Sequence, residues 1–174
     1  MSNPFFPDAY ADSAYAIDYA QLYRDGVRGI IFDIDNTLVY PDAPADDKAA
    51  ELFGRLRAIG LQTVLVSNNN EKRVRPFAEA LGTPYVCKAL KPSLKGYRRA
   101  LSMMNLAPGE VACIGDQIYT DIWGAKRLKM RAFLTAPFTL DEEPQIRLKR
   151  LLEKPVLSAY LRRHGRKANK GSGS

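Results

Sequence analysis

The sequence predicts a three-layer α/β fold of Rossmann-like type, a parallel sheet covered by helices on both faces. Three observations predict it. Short β-branched apolar runs alternate with amphipathic stretches, glycines stand where helices must stop, and acidic or amide-rich segments follow directly on the apolar runs. Val27 to Phe32 is apolar and runs into acidic residues, as expected of a buried parallel strand. Residues 46 to 59 form a helix in which Asp46 caps the start, Ala50, Leu52, Phe53, Leu56 and Ile59 supply the apolar stripe, and Gly60 ends it. A strand over Gln62 to Val66 and a helix over Glu71 to Leu81 come next, then a short strand at Tyr85 to Cys87 and a helix over Ser93 to Met104. Val111 to Gly115 repeats the strand pattern, Asp121 to Leu128 reads as a helix, and Arg131 to Leu134 is the last strand.

At 174 residues the chain is long enough for one domain with a substantial core, and its 46% apolar and 26% charged residues describe a globular protein. No apolar run reaches the roughly 20 residues that span a bilayer, and the N-terminus lacks a secretory pattern, so a cytoplasmic location is expected. Cys87 and Cys113 lie in apolar stretches without partner spacing and read as buried, reduced thiols. The net charge of +7 is unevenly spread: residues 1 to 144 hold 17 basic and 18 acidic side chains, and residues 145 to 174 hold 9 and 1. A nearly neutral body therefore carries a basic tail.

Ligands in open parallel sheets bind beyond the carboxyl ends of the strands. Here those ends lead into Asp33-Ile34-Asp35-Asn36-Thr37, Ser67-Asn68-Asn69-Asn70, Lys88 to Lys91, and Gly115-Asp116-Gln117 followed by Asp121. Crowded carboxylates raise one another's cost of ionisation, so a cation belongs among them. Oxygen ligands without His or Cys select a hard ion, and Mg²⁺ suits a shell completed by phosphate. Asp33 and Asp116 are the expected side-chain ligands, with Asp35 able to add its backbone carbonyl. A carboxylate beside such an ion can attack phosphorus, which makes Asp33 the candidate nucleophile and Asp35 the candidate acid and base. Ser67, Asn68 and Lys91 are placed to bind phosphate, and Thr37 to help. For Asp121, capping of a helix competes evenly with a role in positioning metal-bound water.

These residues resemble the four motifs of the haloacid dehalogenase (HAD) superfamily, in order, over Val27 to about Leu134. Asp33 to Thr37 matches the first motif, Ser67 the second, Lys91-Pro92 the third, and Gly115-Asp116 through Asp121 the fourth; Lys88 is the alternative to Lys91. An Asp at position 35 resembles the phosphatase branches. Only 29 residues separate Thr37 from Ser67 and 23 separate Ser67 from Lys91, which leaves no room for a cap domain. A capless site resembles those of enzymes acting on large or surface-bound substrates, or of enzymes that form oligomers. The expected organisation is an aromatic segment at 1–26 packed on the core, a HAD-like catalytic domain at 27–140, and basic amphipathic helices with a flexible tail at 141–174.

Phe5, Phe6, Tyr10, Tyr15, Tyr19 and Tyr23 precede the first long strand and are expected to pack on the core, with a short helix over Asp18 to Asp25. In the tail, apolar residues from Ile146 to Leu161 alternate with basic ones around Pro155, and this pattern predicts two short helices that pack on the domain, adhere to anionic lipid, or do both. His164 is expected to face solvent, and Gly171 to Ser174 resembles a linker. The Phe-Phe-Pro-Asp-Ala-Tyr segment at 5–10, the stretch Phe32 to Val39, Ser67-Asn68-Asn69, and Gly115-Asp116-Gln117 with Thr120-Asp121 are together similar to the capless phosphatidylglycerophosphate phosphatases. That resemblance implies Mg²⁺-dependent hydrolysis of a lipid headgroup phosphate to phosphatidylglycerol at a membrane surface. The competing readings are a phosphatase of a soluble ester or phosphoprotein, and a non-enzymatic module that binds RNA or protein through the tail.

Overall fold

The computed structural model describes residues 3–165. Six parallel strands form one sheet: β1 (Ala9–Ala11), β2 (Gly29–Phe32), β3 (Gln62–Val66), β4 (Tyr85–Val86), β5 (Val111–Gly115) and β6 (Arg131–Thr135), in the order β1-β6-β5-β2-β3-β4. Side chains alternate across it as strand geometry requires. Ile30, Phe32, Leu65, Ile114 and Phe133 enter a core shared with α1 (Tyr19–Arg24), α2 (Asp47–Ile59) and α3 (Glu71–Leu81). Ile31, Val64, Val66, Cys113 and Leu134 enter a second core under α4 (Leu94–Met104) and α5 (Trp123–Arg127). Two buried cores on opposite faces make the expected three layers.

Local chemistry sets the helix ends. The Asp46 and Asn70 side chains accept from Ala49 N (2.8 Å) and Arg73 N (3.1 Å), satisfying donors that the first turns of α2 and α3 leave free. Gly60 closes α2 at φ +99°, a left-handed conformation that side chains with a Cβ disfavour. Asp18 caps α1 through Gln21 N at 2.9 Å.

Several elements differ from expectation. β1 joins the sheet edge beside β6, drawing the N-terminal segment into the fold. The segment also packs by its rings: Phe5 lies 5.5 Å from both Tyr119 and Trp123, and the Tyr15 hydroxyl donates to Leu38 O at 2.6 Å. Cys113 is buried, but Cys87 is only half-buried; both are free thiols. Asp121 does not begin a helix, because a π-helical turn at Ile118–Ile122 precedes α5. The tail forms one helix instead of two, α6 (Pro144–His164). Pro155 removes a single amide donor, and both it and Leu151, whose carbonyl loses that partner, are exposed, so the carbonyl is not buried without a partner and the helix continues. Val156 and Leu157 of α6 pack on the second core. His164 is exposed, its ring stacked 4.8 Å from Tyr160, and Gly171 to Ser174 lie outside the described residues. No helix is long and apolar enough to cross a membrane among the described residues.

Candidate active site

Strand register builds the site. Phe32 lies opposite both Leu65 and Ile114, so the residues that follow β2, β3 and β5 emerge together at the carboxyl edge. Here the chain, having moved outward through β3 and β4, returns to β5 on the other side of β2, the switch point where crossover loops part and leave a crevice. A cleft of about 450 Å³ opens there, lined by Asp33, Asp35, Ser67, Asn68, Asn69, Lys91, Gln117 and Thr120, and by Gln145, Ile146 and Lys149 of α6.

Asp33, Asp116 and Asp121 each offer a carboxylate oxygen within 4.8 Å of the other two. The Lys91 ammonium bridges this group, donating to Asp33 Oδ1 at 2.8 Å and Asp121 Oδ1 at 2.6 Å. Thr37 Oγ1 donates to Asp116 Oδ1 at 2.9 Å and lies 3.4 Å from Asp33 Oδ2. Lys91 is itself fixed by Asn68, whose Oδ1 accepts from Lys91 N at 2.6 Å. Ser67 is buried on the cleft wall, and its Oγ accepts from Asn69 N at 3.1 Å. Lys88, the alternative motif lysine, is exposed and bonded through its backbone to Asn69 O.

Gly115 explains how the fourth strand end fits. A Cβ there would sit 2.3 Å from the Asp121 carboxyl, so only glycine lets that carboxylate fold back against the strand. From this position Asp121 accepts from Gln117 N at 3.2 Å and meets Lys91, joining the cluster instead of capping a helix.

The electrostatics follow from burial. Desolvation pushes the Asp116 carboxyl well above the usual carboxylate range, with Asp33 adding to the rise and Arg150 opposing it. Asp121 is raised to about 6 by burial, against the pull of Lys91. Burial alone would lower Lys91, but Asp121 and Asp33 outweigh it and hold the ammonium charged beyond its ordinary range. Lys91 and Arg150 together face four carboxylates, Asp33, Asp116, Asp121 and Glu142, so negative charge remains uncompensated, and the all-oxygen donor set of the three aspartates fits a hard divalent cation.

The Asp35 carboxylate stands apart from this cluster. It accepts from Arg73 Nη2 at 2.9 Å, Asn69 Nδ2 at 2.7 Å and Asp42 N at 2.8 Å. Asp35, expected to reach a metal through its backbone carbonyl, keeps its carboxylate out of the cluster in this conformation, and Asp121 supplies the cluster's third carboxylate. Sequence reasoning also missed Arg150. From α6 its guanidinium bonds Asp116 Oδ2, donates to Asp116 O at 2.6 Å, and pairs with Glu142 at 2.6 Å. Glu142 in turn accepts from Asn36 Nδ2 at 2.6 Å, which ties the first motif to the β6–α6 segment. Arg150 reads as one basic residue among nine in the tail, and no local signal distinguishes it.

A family model for haloacid dehalogenase-like hydrolases matches residues 40–129. Over 160 residues the chain is 38% identical to the probable phosphatase YqeG of Bacillus subtilis, covering 91% of this chain and 93% of that protein. The chain belongs to the haloacid dehalogenase-like hydrolases. Within this family it is a phosphatase, a hydrolase acting on phosphate esters. It is also 25% identical to phosphatidylglycerophosphate phosphatase 1 of Arabidopsis thaliana, across 84% of this chain but only 45% of that protein. The fold is shared with a HAD-superfamily hydrolase of Ehrlichia chaffeensis (TM-score 0.54, 17% identity, 74% of this chain and 97% of that one). It is shared too with the cobalt-bound deoxy-D-mannose-octulosonate 8-phosphate phosphatase YrbI of Haemophilus influenzae (TM-score 0.52, 14% identity, 78% and 90%).

Proposed function

We propose that this HAD phosphatase hydrolyses phosphatidylglycerophosphate to phosphatidylglycerol through an aspartyl-phosphate on Asp33, with Mg²⁺ as its metal. One observation supports the chemistry most directly: Asp33 lines the cleft with one oxygen held by Lys91, inside a buried trio of carboxylates suited to a divalent ion. Asp33, Asp116 and the backbone carbonyl of Asp35 would hold the metal, and Asp121 would support it. When bound, Mg²⁺ supplies a Lewis acid that offsets charge on the phosphoryl oxygens.

The chain's own groups divide the reaction into two transfers. An Asp33 oxygen forms a bond to phosphorus as the bond to the lipid alcohol breaks, and Asp35 gives the leaving oxygen its proton. Water then attacks the aspartyl-phosphate, Asp35 takes a proton from it, and phosphate leaves with Asp33 restored. Asp35 must release Arg73 and Asn69 to reach the leaving oxygen, since both hold its carboxylate in the free protein. Ser67, Asn68 and Lys91, which line the cleft, would bind the phosphoryl oxygens, and Lys91 would offset their charge. Thr37 keeps Asp116 oriented.

The substrate assignment is supported by the sequence resemblance to capless phosphatidylglycerophosphate phosphatases and by the relatives of that name in plants and algae. The test is phosphate release from phosphatidylglycerophosphate in mixed micelles, run beside a panel of soluble phosphate esters. The lipid should be hydrolysed at least tenfold more efficiently than any soluble ester, and only with Mg²⁺. Preference for a soluble ester would reject the lipid substrate while leaving the phosphatase chemistry intact.

A further inference from the structure

The described residues expose seven large hydrophobic side chains, and six of them gather at the catalytic edge of the sheet: Tyr40, Leu90, Leu140, Leu148, Leu151 and Leu152, each 56% to 74% exposed. Tyr40 follows the first motif, Leu90 immediately precedes Lys91, and Leu140 lies between β6 and α6. The three leucines of α6 occupy the solvent side of the helix whose Gln145, Ile146 and Lys149 line the cleft. At the opposite edge only Met103 is exposed to 44%. Large apolar side chains are a minor part of an ordinary solvated surface, and a group of them around one opening marks a contact site.

Charge indicates what makes that contact. Arg150 of α6 is bound to Asp116 and Glu142, and Arg147 pairs with Asp141. Lys149, Lys154, Arg162 and Arg163 have no ion-pair partner among the described residues, and Glu153 is the helix's sole acidic residue. Lys149 and Lys154 flank the exposed leucines, while Arg162 and Arg163 lie further along the helix, and cations beside leucines match a surface with an apolar interior and anionic headgroups. A capless cleft also needs some neighbour to exclude water during phosphoryl transfer.

We propose that this apolar rim, with the unpaired cations of α6, docks on an anionic lipid bilayer, so that the membrane closes the cleft in place of a cap. The docking deepens the lipid-phosphate reading and rests on it for the substrate that the bilayer presents. Leucines enter the interfacial zone, cations engage lipid phosphates, and a headgroup reaches Asp33 without leaving the bilayer.

Co-sedimentation of the full chain with vesicles tests this. Vesicles of phosphatidylcholine containing phosphatidylglycerol should bind the protein at least tenfold more tightly than phosphatidylcholine alone. Replacing all three exposed leucines together (Leu148→Ser, Leu151→Ser, Leu152→Ser) should weaken that binding by tenfold or more, while Mg²⁺-dependent hydrolysis of p-nitrophenyl phosphate stays within about twofold. Equal binding of the triple variant would overturn the proposal, as would failure of the unmodified protein to bind. So would light scattering that shows a dimer dissolved by the same substitutions, since a second copy would then cover the rim. Tight vesicle binding without release of phosphate from phosphatidylglycerophosphate would instead refute the substrate and leave the docking surface standing.

Discussion

The inner carboxylate cluster and the α6 strap meet at Asp116, which accepts from Thr37 on one oxygen and is bonded by Arg150 on the other, and the two are held by different means. Inside, Asp33 directly follows β2, Lys91 lies in the segment after β4 and Asp121 in the π-helical turn after β5, and strand register brings these ends together into hydrogen bonds of 2.6 to 2.8 Å. Outside, Arg150 reaches Asp116 from a helix 34 residues further along the chain and is held by Glu142. The first arrangement gathers charges at the cleft; the second ties α6 to its wall. Substitution should separate them, with activity dominating in one and stability in the other.

The largest effect is expected at the inner cluster. Lys91→Met removes the ammonium that bridges Asp33 and Asp121 and should lower kcat/KM for any phosphate ester by about 10² to 10³-fold. A loss below tenfold would mean that Lys91 does not face the transferring phosphoryl group. At the strap, Arg150→Ala leaves the Asp116 and Glu142 carboxylates without their guanidinium, and unpairing a buried charge is costly. We expect a loss of about 2–4 kcal/mol in urea unfolding, with activity falling less than for Lys91→Met. If Arg150→Ala melted like the unmodified protein, the strap would be ornamental.

The smallest effect concerns Glu153, on the buried side of α6. Its carboxyl is pushed up to about 7 by burial, against a hydrogen bond donated by Tyr119 N and the nearby Arg150. The folded state thus favours the protonated form, and stability falls as pH rises from about 4.5, the ordinary glutamate value, to about 7. Glu153→Gln should flatten that decline and raise stability at pH 7.5 by about 1–3 kcal/mol relative to pH 4.5. An unchanged pH profile in thermal melts would show that Glu153 is ionised without penalty.

The same contrast explains what the sequence disclosed. Strand ends were legible because periodicity locates a strand within a residue or two, and the motif residues follow it at once. Asp46, Gly60 and Asp18 announced their helix boundaries by chemistry that acts within one turn. Contacts between distant segments had no such signal. β1 is only three residues long and becomes a strand by pairing with β6, so Ala-Tyr-Ala shows no period of its own. The partners of Asp35 were equally hidden: Arg73 lies on α3, and only the folded crossover brings it within 2.9 Å. Asp121 looked like a helix start because a π-helical turn and an α-helix share the same spacing over so few residues. Pro155 suggested a break, yet on an exposed face the lost hydrogen bond leaves no buried carbonyl unpaired and α6 runs through it.

The central claim is that Asp33 accepts the phosphoryl group. Acid quenching of the enzyme during turnover, followed by peptide mass spectrometry, measures this directly. A phosphoryl adduct should appear on the peptide holding Asp33 and vanish, together with turnover, in Asp33→Asn. Turnover retained by Asp33→Asn, or an adduct mapped to another residue, would contradict the account.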